Sequence, residues 1–344
     1  MEPSLSTTSS TFNESECYMY IYRKPISIWF SIFYSFVSIT GIIGNIIVLY
    51  VIRHSKQKIN STVLYLVNLS IADLMFTFSL PIRIAYYILE FNWKLGTIMC
   101  RISGYIFYLN MYASISFMTC ISMDRYFAVI HPIKCQRFRR VSFVKYICFF
   151  AWLTICCTNS LLLFLPDMLK EDDDRLLCME YPNFENIPRL PQFLLLGCVL
   201  AYYLPVAFLV FCYTCVSLKL RTLSKNPLSG GKQSNAKCRK SQLLVLVVLL
   251  VFVLCYTPYH LGITRHMLSR LVGEVHCETR QNFQLCLHLT ISLMNINCCM
   301  NPLIYFFASK SNKTRIWELV LHRSSQSTSQ SSQKSLSTDA SNDT

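Results

Sequence analysis

The sequence is short of charge. Only 15% of its 344 residues are Asp, Glu, Lys or Arg, where a soluble domain carries about a quarter, so there is too little polar surface to solvate a globule. Acid is scarcer than base, with Asp+Glu 18 against Lys+Arg 32 and a net charge of +14. Gly 9 and Pro 12 are too few for a collagen-like or low-complexity chain. Residues 1–24 lack the apolar core of a signal peptide, and no cysteine inside the apolar runs stands at metal-ligand spacing from a histidine. In a chain that is 53% hydrophobic with mean hydropathy +0.38, the excess base points to loops at an anionic membrane face and not to nucleic acid.

What is present is long apolar runs. A helix needs about 20 such residues to cross a bilayer, and seven runs reach that length: Ile26 to Ile52, Thr62 to Leu89, Met99 to Ile130, Val144 to Leu165, Pro191 to Leu218, Gln242 to Leu268 and Phe283 to Ala308. They are apolar on all faces, whereas a barrel strand alternates, so the fold class is all-α: a seven-transmembrane helix bundle. The links after spans one, three and five carry the basic clusters Lys56-Gln57-Lys58, Arg137-Phe138-Arg139-Arg140 and Lys237-Cys238-Arg239-Lys240 and no acid, while Glu90, Glu171 to Asp174, Glu180 and Glu274 lie in the opposite links. Basic short loops stay cytoplasmic, which predicts an extracellular N-terminus, a cytoplasmic C-terminus and a multi-pass plasma-membrane protein. Asn13-Glu14-Ser15 is a glycosylation sequon on the outer side of this topology. The chain divides into an outer tail (1–25), the bundle (26–308), an amphipathic segment (309–321) and a Ser/Thr-rich disordered tail (322–344).

Most of the Cys 17 are apolar fillers of helix surfaces. Four lie on the oxidising side, Cys17, Cys100, Cys178 and Cys277. An even number implies two bridges, with three possible pairings.

Ionisable and amide residues inside spans are functional candidates. Asp73 sits mid-span two. Asn45, Asn110, Ser114, Asn297 and Asn301 could surround it with oxygens, the ligand type a sodium ion prefers, and the same set reads as a helix-packing hydrogen-bond network. Asp124-Arg125-Tyr126 ends span three, an acid and a base able to lock to each other or release the arginine to a partner. Pro205, Pro258 and Pro302 lie deep in spans and free backbone carbonyls. The outer halves of the spans hold Arg83 among aromatics, including Tyr87, Tyr108, Tyr112, Tyr256 and Tyr259, plus His260. Such a lining suits a rigid apolar ligand with a few polar groups.

Gly44-Asn45, Leu69 to Asp73, Cys100, Asp124-Arg125-Tyr126, Trp152, Pro205, Cys255-Tyr256-Thr257-Pro258 and Asn301-Pro302-Leu303-Ile304-Tyr305 occur one set per span, in order. Together they resemble the rhodopsin family (class A) of G-protein-coupled receptors over about residues 25 to 320. The resemblance implies a Cys100–Cys178 bridge, leaving Cys17 with Cys277, and an amphipathic eighth helix, here Lys310 to Leu321. It assigns Asp124, Arg125, Tyr126, Pro258, Asn301, Pro302 and Tyr305 to G-protein activation. Phe107 stands where amine receptors place an ammonium-binding Asp and Asn295 where opsins place the retinal lysine, which excludes both ligand classes. No cysteine follows Cys299 to carry a palmitoyl anchor.

A narrower likeness runs through Leu80-Pro81-Ile82-Arg83-Ile84-Ala85-Tyr86-Tyr87, Cys178 to Glu185 and Phe252 to His260, which resemble the oxysterol-receptor branch that guides lymphocyte migration. It implies a dihydroxylated cholesterol ligand bound by Arg83, Tyr108, Tyr112 and Tyr259, coupling to inhibitory G proteins, and immune-cell chemotaxis. Asn301-Pro302 replaces that branch's Asp-Pro and Tyr256 its Phe. Phosphorylation of the hydroxyls between Ser324 and Ser341 gives receptor kinase and arrestin as tail partners, and membrane lipid meets the basic inner loops. No cofactor is required beyond the sodium ion considered at Asp73. A nucleotide or lysophospholipid is the second ligand class, since Arg83, Arg265, Arg270 and Arg280 could meet phosphate. A transporter or channel predicts repeats and polar stripes that are missing, and an enzyme a nucleophile and base that His266, His276 and His288 do not supply.

Overall fold

The computed structural model describes residues 23–54, 59–164, 169–172, 175–178, 189–225, 227–272 and 277–308. The outer tail with Asn13 and Cys17, the predicted eighth helix and the Ser/Thr-rich tail fall outside them. Its helices are α1 (Arg23–Arg53), α2 (Ser61–Ile88), α3 (Gly96–Ile130), α4 (Val141–Ser160), α5 (Leu190–Cys198), α6 (Leu204–Lys225), α7 (Pro227–Val272), α8 (Cys277–Asn295) and α9 (Asn297–Ala308). Seven stretches are long and apolar enough to span a bilayer, Lys24–Arg53, Ser61–Ile88, Gly96–Ile130, Val141–Ser160, Pro191–Leu223, Cys238–Val272 and Asn282–Tyr305. They coincide with the seven runs expected from hydropathy. Span five is α5 and α6 joined by a π-helical turn, Val199–Tyr203, just before Pro205, where the missing N–H and the ring force the ladder out of register. Span seven is α8 and α9, joined at Ile296.

Each span buries one face inside the bundle and leaves Ile28, Ile32, Phe36, Phe149, Phe150, Leu254 and similar residues exposed, as a lipid-facing surface requires. Above the bundle, Leu169–Asp172 (β1) pairs antiparallel with Arg175–Cys178 (β2). The disulfide Cys100–Cys178 ties β2 to the top of span three. Glu90 and Phe91 adopt positive φ, 53° and 62°, and fold the chain back after α2. There Trp93, fully buried, donates its backbone N–H to Leu176 O (2.8 Å) and its indole N–H to Gly96 O (2.8 Å). Arg175 completes the outer lid, donating to Glu90 O (2.6 Å) and pairing with its carboxylate.

Spans one, two and seven meet through carbonyls that prolines free. Pro81 cannot donate to Thr77 O, four residues back, and Ser38 Oγ donates there instead (3.1 Å). Pro302 likewise abandons Cys298 O, which accepts Asn45 Nδ2 at 3.0 Å. Glycine makes the approach possible: a Cβ on Gly41 would lie 2.6 Å from Thr77 Cγ2, and one on Gly44 3.0 Å from Pro302 Cγ.

Candidate functional site

Three layers of polar and aromatic residues run down the bundle axis. In the outer layer, Tyr108 and Tyr112 share a face of span three one turn apart, their rings 6.4 Å apart and nearly parallel. The hydroxyls of Tyr108 and Tyr259 lie close together, and the Arg83 guanidinium is near enough for its charge to act on Tyr108. His260 stands edge-on to Tyr259 (5.0 Å), stacks on Tyr202 (4.2 Å) and binds Tyr256 O through Nδ1 (2.8 Å). Nδ1 therefore carries the proton. The structure thus brings together Arg83, Tyr108, Tyr112, Tyr259 and His260, contributed by spans two, three and six.

Tyr87 and Tyr256 go elsewhere. Tyr87 stacks on Tyr34 (5.3 Å) and packs with Phe30, Phe91 and His288 in an aromatic plug between spans one, two and seven. Its carbonyl accepts from Ser27. Tyr256 points into the middle layer, where Asn297 donates to its hydroxyl. Both are tyrosines whose depth is readable from sequence but whose helical face is not.

The middle layer centres on Asp73, wholly buried. One carboxylate oxygen accepts Asn110 Nδ2 at 3.0 Å, the other Asn301 Nδ2 at 2.8 Å. Cys298 Sγ joins the amide oxygens of Asn297 (3.2 Å) and Asn110 (3.7 Å). Ser114 Oγ lies beside Asp73 and Tyr256, and Asn301 Oδ1 has no hydrogen-bond partner among the described residues. A buried carboxylate with adjacent hydroxyl and amide oxygens is a donor set suited to a hard monovalent cation. Asn45 spends its Nδ2 on Gly41 O and Cys298 O, while its Oδ1 is buried with no hydrogen-bond partner among the described residues.

The inner layer is a lock. Asp124, 4% exposed, accepts Thr62 Oγ1 (2.7 Å) and Arg125 Nε (3.1 Å) on Oδ2, and Ser61 Oγ and Arg139 Nε (3.1 Å) on Oδ1. Arg125 also donates to Thr62. Tyr126 packs against Phe211 of span five, 5.6 Å between ring centres. Ser61, Thr62 and Arg139 as partners of Asp124 were not apparent from sequence, where Arg139 is one of three arginines in four residues. Tyr305 and Pro302 are buried at the base of span seven. The Cys277 side chain and its expected partner Cys17 lie outside what the structure describes.

A family model described as "7 transmembrane receptor (rhodopsin family)" matches residues 44–305. The chain is similar to G-protein coupled receptor 183 of Mus musculus, 42% identical over 323 residues covering 93% of this chain and 89% of that protein. Against G-protein coupled receptor 183 of Homo sapiens it is 41% identical over the same length, 93% and 88% of the two chains. Lysophosphatidic acid receptor 6 of Gallus gallus is 30% identical over 286 residues, 81% and 89%.

Proposed function

The chain belongs to the rhodopsin family of seven-transmembrane G-protein-coupled receptors, and from that premise we propose that it is an oxysterol receptor coupled to inhibitory G proteins that directs immune-cell chemotaxis. A receptor of this family has a small-molecule ligand and a heterotrimeric G protein as partners, and the family is not one of enzymes. The observation that carries the sterol reading is the outer layer: one half-buried guanidinium, Arg83, close to the tyrosines Tyr108, Tyr112 and Tyr259. A mostly neutral, rigid ligand needs few donors, and Arg83 supplies a hydroxyl on it with a charge-assisted hydrogen bond.

A lysophospholipid is the second reading, favoured by the likeness to a receptor named for lysophosphatidic acid. A phosphate calls for several cations in one place, and Arg265 is exposed on the outer part of span six, which supports the sterol. The deciding experiment is inhibition of cyclic-AMP formation in cells expressing the chain, challenged with oxysterols, nucleotides and lysophospholipids. An oxysterol response abolished by pertussis toxin is expected, and Arg83→Ala lowers oxysterol potency by roughly tenfold or more, as for loss of a charge-assisted bond. Unchanged potency on Arg83→Ala defeats the pocket assignment, and toxin-insensitive signalling defeats the coupling assignment.

The activation scheme follows from the layers. Ligand in the outer layer shifts the bundle equilibrium, Arg125 leaves Asp124, span six bends at Pro258, and an inner cleft opens for the G protein. We also assign Asp73, Asn110, Ser114, Asn297 and Asn301 to a sodium ion that favours the resting state. Replacing sodium by choline then raises oxysterol potency several-fold in the parent and leaves Asp73→Asn unmoved; equal responses of the two proteins to the exchange defeat the assignment. The orientation with the N-terminus outside, glycosylation at Asn13, and kinase and arrestin binding at the tail belong to the same reading.

A further inference from the structure

Asp124 carries two guanidinium groups where the lock described above uses one. The sharing is symmetric: Oδ2 accepts Thr62 and Arg125, Oδ1 accepts Ser61 and Arg139. Each oxygen therefore has one hydroxyl and one cation, and removal of Arg125 empties only Oδ2 of its cation.

The second cation is positioned, not incidental. It sits in a single 3-10 turn, Arg137–Arg139, in the link between spans three and four. Arg137 and Arg140 on either side are exposed, whereas the Arg139 side chain is 24% exposed and turned inward. Phe138 anchors the turn, its ring 6.1 Å from Phe127 on span three and 5.3 Å from Phe143 on span four. Backbone bonds from Arg139 N to Gln136 O and from Arg140 N to Arg137 O close the turn on both sides.

A buried carboxylate stripped of its cation is among the costliest states a protein can adopt, and that is the state Asp124 would enter on the departure of Arg125 if Arg139 were not there. We propose that Arg139 is the positioning residue that makes this departure feasible: it keeps Asp124 paired while Arg125 is released towards the G protein, and so sets the receptor's basal activity and its ease of activation. Arg139 acts through Asp124 and not by touching the G protein. The proposal rests on the G-protein-coupling reading for its consequence, but the shared pairing stands apart from it.

Two measurements test it on the full chain. The first is thermal unfolding in lipid nanodiscs with no G protein, comparing Arg125→Ala, Arg139→Gln and the double substitution. Because each arginine covers for the other, the double lowers Tm by about 2–4 °C more than the two singles together, and the excess vanishes in an Asp124→Asn background; additive shifts overturn the proposal. The second is basal nucleotide exchange on a panel of G proteins. Arg139→Gln lowers it roughly three- to tenfold, Arg139→Lys restores most of it, and in an Asp124→Asn background Arg139→Gln has no further effect. An equal loss in both backgrounds assigns Arg139 to the G-protein contact and overturns the proposal. If the parent chain activates no G protein, the coupling reading fails while the unfolding arm still decides the shared pairing.

Discussion

The two sides of the bundle treat their prolines differently. On the side of spans one, two and seven, the carbonyls released by Pro81 and Pro302 are taken up by Ser38 and Asn45 of span one. On the side of spans five and six, Pro205 and Pro258 release Ala201 O and Leu254 O, and no side chain among the described residues donates to either. The glycines tell the same story, since Gly41 and Gly44 admit close neighbours while a Cβ on Gly197 or Gly262 meets nothing within 4 Å. A proline kink with its carbonyl capped is a fixed bend. One left uncapped is a joint. In the activation scheme proposed above, spans one, two and seven then serve as the frame against which spans five and six swing.

The hardest blow to this contrast is steric. Gly41→Val places a branched side chain against Thr77, whose own hydroxyl is bonded to Asp73 O at 2.8 Å and whose β-branched side chain has little room to retreat. Overpacking of this kind costs about 3 kcal/mol, so Tm of the purified chain and the amount reaching the cell surface both drop. Gly262→Val, in open space on span six, leaves both near the parent. Equal losses at the two positions would abolish the distinction between frame and lever.

Next in size is removal of the caps. Asn45→Ala leaves Cys298 O buried without its side-chain donor, at about 1–3 kcal/mol; Ser38→Ala does the same for Thr77 O at about 1 kcal/mol. Both appear as lower Tm. Ligand potency at Arg83 stays unaltered, because neither residue touches the outer layer. A double substitution whose loss differs from the sum of the two singles would show that the two caps are not the independent clasps they resemble.

How much of this was legible beforehand depends on whether the information is local. Span number and bounds follow from runs of apolar residues, and the placement of Asp73, Asp124-Arg125-Tyr126 and the prolines follows from position within a run. The Cys100–Cys178 bridge came with the family resemblance. Pairings between spans could not be read, because nothing in Asn45 says that its partner is a carbonyl 253 positions away. The same ambiguity hid Arg139 among equivalent arginines. Tyr87 and Tyr256 show the finer form of the problem: one residue of rotation, 100° of helix, decides between the outer layer and its neighbours.

The mildest test is aimed at the lever itself. Pro258→Ala restores an N–H four residues after Leu254 and lets the ladder of span six close. Nothing else is removed: the Pro258 ring makes none of the hydrogen bonds that hold Tyr256, Tyr259 or His260. Tm should therefore stay level or rise slightly, and ligand binding to the resting receptor should be retained. What falls is agonist-driven nucleotide exchange, by about threefold, because a straightened span six no longer bends where the swing is needed. Pro81→Ala is the matched control, since the new N–H merely competes with Ser38 for Thr77 O and lies outside the residues assigned to activation. If Pro81→Ala reduces exchange as much as Pro258→Ala, the joint lies in span two as well, and the frame shrinks to spans one and seven.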